Sequence, residues 1–405
     1  MKPGTAASAL LLALAACLTA CTSASTRTLP PGHNAPGSTV YRFGVVGNQG
    51  KIALLELSTP AAVGGITGDV VQIATSNSDG YALTSSGEVW AWGVASYGEL
   101  GDGQTAPYST RAVRVGFPAG VTIVALANPM PFDGALAIDS HGHAWGWGLN
   151  TAGDLCLSGL FELRPAQLPL NDVTIATGAR THSLFYSAGT LYACGSGDAG
   201  ELGNGSTASS PTPTPVTGLP CTAKVTALTT SWEGSGALLA TGAYYDWGYN
   251  AAGQLGDGGT ANSAVPVQVK LPAPVRQVSQ GGSGPANGQT IAILTDGSVW
   301  TWGNNQHGQL GDGSTANSHI PVRVNVPAAV TFVKVNSGGY ACYAIDSSGK
   351  LWAWGGNQNG QLGTGSGTRI ETNPVDVGIH LTQVSSTASN VAGLQQHTSA
   401  GDPRP

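Results

Sequence analysis

Few side chains in this sequence have the types and spacings that do chemistry. Lys and Arg number 16 and Asp and Glu 22 in 405 residues, so charge makes up only 9% of the chain. Cysteines stand at Cys17 and Cys21 in an apolar N-terminal stretch, and at Cys156, Cys194, Cys221 and Cys342 in the body. The body cysteines form no Cys-x-x-Cys pair, so a zinc site is not expected. As thiols open to oxidation they allow three connectivities, and the pair expected is Cys194 with Cys221. His141, His143 and His182 lack the helical spacing of a metal-binding pair. Asp102, Asp257 and Asp312 recur between glycines; a calcium site needs six or more oxygens at one point, so they read as turn formers. No Gly-x-Ser-x-Gly elbow is present for a serine nucleophile. The acids outside repeated turns include Glu56, Asp69, Glu162, Asp172, Glu233 and Glu371. An envelope enzyme would have to bring two of them face to face from distant segments. No catalytic residue, cofactor or metal is assigned.

The elements that must position these residues repeat. Gly accounts for 60 positions and hydrophobic residues for 41%, ten of them Trp, which excludes both disorder and long helices. A net charge of −6 without a basic run excludes an electrostatic footprint for nucleic acid. Val89-Trp90-Ala91-Trp92-Gly93 is followed by Gly98-Glu99-Leu100-Gly101, and the phrase returns through Leu351-Trp352-Ala353-Trp354-Gly355 with Gly360-Gln361-Leu362-Gly363. Counting from a worn copy at Val40 to Gly44, the motif glycines 44, 93, 148, 195, 248, 303 and 355 are 49, 55, 47, 53, 55 and 52 residues apart. A period of this size means propeller blades or a solenoid.

Each unit reads as four short strands. In the fifth clear copy they are Val275 to Ser279, Thr290 to Leu294 and Ser298 to Trp302, with Asp296-Gly297 as the hairpin turn. Val265 to Val269 is the preceding unit's fourth strand. The array starts in mid-unit at Val40 to Phe43 and Ile52 to Leu57, and stops in mid-unit at Leu381 to Ser385 and Val391 to Gln395. Two halves make one blade. The prediction is an all-β, seven-bladed β-propeller of four-stranded antiparallel blades over 39–396, its last blade closed by the N- and C-terminal strands. Nine of the ten Trp then belong to third strands as core, and Trp232 alone lies in a loop.

The phrase Trp-x-Trp-Gly, x-Asn-x-x-Gly-Gln-Leu-Gly, at Trp302 to Gly311 and Trp354 to Gly363, resembles the regulator of chromosome condensation (RCC1-type) repeat. That superfamily also includes β-lactamase inhibitory protein II, and the likeness covers Val40 to Gln396. The resemblance implies a propeller. Its eukaryotic namesake is an exchange factor for a small nuclear GTPase, so GTPase regulation is an expectation by analogy. The family's Gly-x-x-x-His element occurs here once, as Gly178-Ala179-Arg180-Thr181-His182.

Residues 1–20 read as a secretory signal peptide, 21–38 as a flexible tether and 397–405 as a disordered tail. Leu18-Thr19-Ala20-Cys21 resembles a bacterial lipobox, which implies a lipid on Cys21, with Cys17 the alternative. The expectation is an exported, lipid-anchored monomer, with secretion as the alternative. Its loop face would bind a protein partner or a glycan, and it would use the membrane only through its lipid. The candidate contacts on that face are Trp232, Arg180, Phe132, Tyr97, Tyr340 and Asn304, the last beside Asn305.

Overall fold

The computed structural model describes residues 38–46, 55–221, 224–387 and 390–396. The expected signal peptide, Cys17, Cys21 and the C-terminal tail lie outside the described residues. Among the described residues the strands form seven four-stranded antiparallel sheets. Six are continuous in sequence: blades 1 to 6 span 70–114, 123–167, 173–215, 225–268, 275–323 and 332–380. The seventh is composite, ordered Leu55–Ala62, Ser38–Val46, Asn390–Gln396, Gln383–Ser386. Its two halves pair antiparallel from Ser38 opposite Gln396 to Gly44 opposite Asn390. The fifth copy's strands are Val275–Gly281, Gln289–Leu294 and Val299–Gly303, after Ser263–Gln268 in the blade before. The ring therefore closes as the half-units at the two ends of the array required.

The core lies between blades. The second Trp of the repeated pair is fully buried in Trp92, Trp147, Trp247, Trp302 and Trp354. Its indole reaches across a junction: Nε1 donates to Glu99 O from Trp147 (3.0 Å), to Glu201 O from Trp247 (2.9 Å) and to Gln309 O from Trp354 (2.9 Å). Each acceptor belongs to the Gly-rich loop of the preceding blade. A glycine two residues on lets the indole in, because a Cβ on Gly203 or Gly311 would lie 2.6 Å from the Trp Nε1. Those glycines hold φ near +65°, the left-handed region that glycine enters without a Cβ penalty.

One junction is built differently. Cys194 stands where the other five continuous blades carry Trp, and it is bonded to Cys156, with Cα atoms 5.6 Å apart. This corrects the expected Cys194–Cys221 pair: Cys221 is free and exposed, and Cys342 is free and buried. Cys221 sits beyond the fourth strand of its own blade, whereas the Cys194 side chain points into the blade junction where Cys156 waits.

The first strand of each blade is the innermost, and its polar side chains lace neighbours together. Gln72 donates to Leu126 O and accepts from Leu126 N, and Gln383 does the same service between the composite blade and blade 1. Thr75 and Ser385 meet at 2.9 Å, Thr177 and Thr230 at 3.1 Å. Such pairs satisfy groups that face a narrow axis rather than a packed apolar core.

Candidate binding site on the loop face

Antiparallel order puts the loops between first and second strands, and the Gly-rich loops between third and fourth, on one side of the disc. There the first-to-second loops of all seven blades converge on the axis, contributing Asn77, Phe132, Arg180, Trp232, Gly282, Gly338 and Thr387 to the wall of one depression. Its volume is about 50 Å³, room for the tip of a side chain and well short of a pocket that engulfs a substrate.

Backbone bonds between loops fix the wall. Asn77 N donates to Phe132 O (2.9 Å), Phe132 N to Ala179 O (3.0 Å) and Gly178 N to Pro129 O (3.0 Å). Thr230 Oγ1 donates to Gly178 O at 2.7 Å, tying the loop of blade 4 to that of blade 3. Gly178 has to lack a side chain, since a Cβ there would meet the Pro131 ring at 2.5 Å.

Three of the expected contact residues meet in this wall, one each from blades 2, 3 and 4. The Phe132 and Trp232 rings stand nearly perpendicular, 72° apart with centroids at 5.3 Å. The Arg180 guanidinium carbon sits in the corner they make, 4.7 Å from the Phe132 centroid and 4.1 Å from that of Trp232. Asp133 and Glu233, each next in sequence to one of the rings, feel the same guanidinium. Burial pushes Asp133 up to about 6, with Arg180 opposing. Burial also raises Glu233, with Glu201 and Asp198 adding to the rise and Arg180 opposing it.

The other three lie elsewhere. Tyr97 is exposed on the Gly-rich loop of blade 1, and its backbone N–H donates to Glu99. Tyr340 packs edge-on against His307, 4.9 Å between ring centroids. Asn304 is 1% exposed, and its polar atoms are spent on Ala286 O of the first-to-second connection and on Gln306 N and Gln309 Nε2 of its own loop, which makes it a poor contact residue. Its neighbour Asn305 is also buried and accepts from Leu310 N at 2.9 Å, the clamp that Asn150, Asn250 and Asn357 supply in their own blades.

The remaining candidates are structural in their contacts. Asp102, Asp257 and Asp312 each accept from the N–H two residues ahead, as turn formers do. His182 is fully buried and joins Ser235 of the next blade at 2.8 Å, with burial lowering its pKa. The structure does bring His141 and His143 together with Asp139, which their spacing had not signalled. The Asp139 oxygens are already engaged by His141 N, His143 N, His143 Nδ1 and Trp145 Nε1, the last two at 3.0 Å. Asp346 holds the equivalent hairpin of blade 6 in the same manner.

Carboxylates do gather, though not the expected ones. Asp79, Glu99, Asp133 and Asp154 lie near one another around blades 1 and 2, and burial raises the pKa of each, Asp154 up to about 7. Glu99, Asp154 and Glu201 share one slot, the residue before Leu in the Gly-rich loop. From it Glu99 and Glu201 accept the N–H two residues back, as Gln254, Gln309 and Gln361 do in the other blades. Amides serving equally well mark the slot as structural.

The sequence profile of the Regulator of chromosome condensation (RCC1) repeat matches residues 188–238, 241–284, 296–345 and 348–400. A second profile of the same repeat matches 275–309 and 332–361, and together they cover just over half of the chain. The RCC1 domain-containing protein RUG3, mitochondrial, of Arabidopsis thaliana is 30% identical over 312 residues, 73% of this chain and 67% of that protein. The chain belongs to the regulator of chromosome condensation repeat family. Another relative of this RCC1-repeat propeller is the Ultraviolet-B receptor UVR8 of Arabidopsis thaliana, 28% identical over 323 residues, 76% of this chain and 70% of that one. Among solved structures, Prp20p from Saccharomyces cerevisiae superposes with a TM-score of 0.72 at 18% identity, over 90% of this chain and 92% of its own, a likeness of fold.

Proposed function

We propose that this RCC1-repeat propeller is an interaction scaffold that binds a partner protein through its loop face, at the rim of the axial depression. One observation carries the reading: Phe132, Arg180 and Trp232, from three different blades, converge on one accessible spot. Aromatic and Arg side chains dominate the energy of protein interfaces, and a rigid ring presenting them through loops pays little ordering cost. Prp20p, whose structure was described with its binding to Gsp1p and histones, uses the same fold to bind proteins. The buried acids of the Gly-rich loops, Glu99, Asp154 and Glu201, have amide equivalents in sibling blades, which favours binding over catalysis. Exchange-factor activity stands as the family analogy, to be read as accelerated nucleotide release.

We propose further that the protein is exported and lipid-anchored at Cys21. The lipobox-like Leu18-Thr19-Ala20-Cys21 supports this, and the Cys156–Cys194 disulfide suits an oxidising compartment. Ser38 pairs with Gln396 at the hairpin end of the composite blade, so a tether arriving there leaves the loop face pointing away from the membrane. The test is crosslinking capture by the full-length protein in its host membrane, wild type against Trp232→Ala, with Tyr97→Ala as the surface control. Loss of the same captured protein with Trp232→Ala alone supports the reading. Equal capture by all three forms removes this face as the site.

A further inference from the structure

The corner between Phe132 and Trp232 already holds a cation, and how it is held points to what else would fit. Two nearly perpendicular rings form two walls, 72° apart, and the Arg180 guanidinium rests against both faces at 4.7 and 4.1 Å. Ring faces are the negative part of an aromatic side chain, so such a corner selects positive charge. The chain order repeats the logic twice, because Phe132 is followed by Asp133 and Trp232 by Glu233. Arg180 acts electrostatically on both carboxylates, and Asp198 and Glu201 act on Glu233 from behind. One guanidinium therefore faces several acids, and the local charge balance favours a further or a replacement cation over an anion.

Arg180 is also loosely held. It is exposed, and among the described residues no hydrogen bond or ion pair ties down its N–H groups; the two rings and the longer-range attraction of Asp133 and Glu233 hold it. An exposed side chain kept by ring stacking and by charges beyond ion-pair distance leaves at small cost, because each such contact is weak in water. The Ala179 backbone beneath it is buried and bonded to Phe132 N and His182 O, so the arm can swing while its base stays put.

We propose that this corner is a receptor for a basic side chain, arginine or lysine, of the partner protein, and that Arg180 is its resident occupant, displaced on docking. The proposal rests on the loop-face reading above and specifies the chemistry of the partner. Incoming cation and outgoing Arg180 exchange places, so wild-type affinity for a single basic residue is reduced by competition. Removing the competitor unmasks the site.

The experiment titrates the full chain with acetyl-Gly-Arg-Gly-amide and, separately, with acetyl-Gly-Glu-Gly-amide, following the Trp232 indole N–H resonance by NMR. Wild type is compared with Arg180→Ala, Arg180→Ala/Glu233→Gln and Arg180→Ala/Trp232→Ala, each verified by its thermal melt. The expected result is binding of the Arg tripeptide about tenfold tighter in Arg180→Ala than in wild type. The gain should fall severalfold with Glu233→Gln. With Trp232→Ala, where the shifts of the Phe132 ring replace the indole probe, it should vanish. Equal or weaker binding of the Arg tripeptide by Arg180→Ala overturns the proposal. So does binding of the Glu tripeptide by wild type that Arg180→Ala loses, since Arg180 would then be an anchor for acids. Either outcome leaves the loop-face reading intact if Trp232→Ala still abolishes partner capture, so the two fail separately.

Discussion

Cys156 and Cys194 occupy, on either side of one blade junction, the two positions that hold a glycine and a tryptophan at the junctions of Trp147, Trp247, Trp302 and Trp354. Where Gly203 admits Trp247 and Gly311 admits Trp354, Cys156 takes the loop position in the same left-handed conformation, at φ 54°, and Cys194 takes the third-strand position. The Cys194 sulfur also lies 3.6 Å from Asp154 O, the carbonyl equivalent to the ones that the Trp147, Trp247 and Trp354 indoles address. A bulky ring and its hydrogen bond have been exchanged for a covalent bond.

That exchange makes the bond structural, and its removal should be felt. Cys194→Ser would leave a void where siblings place an indole and would release a closed loop of 38 residues. Chain-entropy reasoning assigns such a loop roughly 3–4 kcal/mol. Denaturant melts of Cys194→Ser should show a loss of about that size, and wild type in reductant should show the same. Cys221→Ser should melt as wild type does. Peptide mapping that found Cys221 in the bridge would contradict this.

The Trp junctions predict a second loss. Trp354 is fully buried and donates Nε1 to Gln309 O at 2.9 Å, while its ring stacks on Phe332 with centroids 6.0 Å apart. Trp354→Phe would strand that carbonyl in the interior and leave part of the indole volume empty. The two effects together amount to about 2–4 kcal/mol. Trp352→Phe, half-buried with its Nε1 on Asp346, should cost clearly less. Equal losses in the two variants, measured by chemical denaturation, would remove the special standing of the inner indole.

How far the sequence disclosed all this follows from what repeats. The blades, their four strands and the composite closure were legible because every copy restates them, down to the half-units at Val40 and Val391. The Cys156–Cys194 bond was half legible. Cys194 in a Trp slot was visible, but the partner followed only from noticing that Gly153-Asp154-Leu155-Cys156 puts cysteine where Gly101 and Gly311 stand. Trp232 stood out because it breaks the repeat. That its ring would meet Phe132 and Arg180 was not legible, since about 50 residues separate successive loops and only ring closure brings them to one axis. Asn304 misled for the opposite reason: polarity and loop position suggest exposure, yet Gly-rich loops fold back on themselves and use their amides internally.

The Gly-rich loops also predict how stability responds to pH. Asp154 is buried and its pKa is raised to about 7, from burial first, with its own N–H and that of Ala152 opposing. Glu99 is raised for the same first reason. A carboxyl whose folded pKa exceeds its unfolded value binds a proton more tightly in the native state. Its contribution is therefore favourable at acid pH and is lost as pH rises from about 4 through 7. At about 1.4 kcal/mol per unit, the shift at Asp154 alone is worth a few kcal/mol of lost stability above neutrality. Asp154→Asn keeps an acceptor for the loop N–H groups and carries no charge, as Gln254, Gln309 and Gln361 already show is workable. Thermal melts from pH 4 to 8 should find Asp154→Asn and Glu99→Gln several degrees more stable than wild type at pH 8. Near pH 4 the three forms should agree, and the double variant should show the flattest profile. A double variant less stable than wild type at pH 8 would mean that these acids hold the junction as charged groups, against the burial that surrounds them.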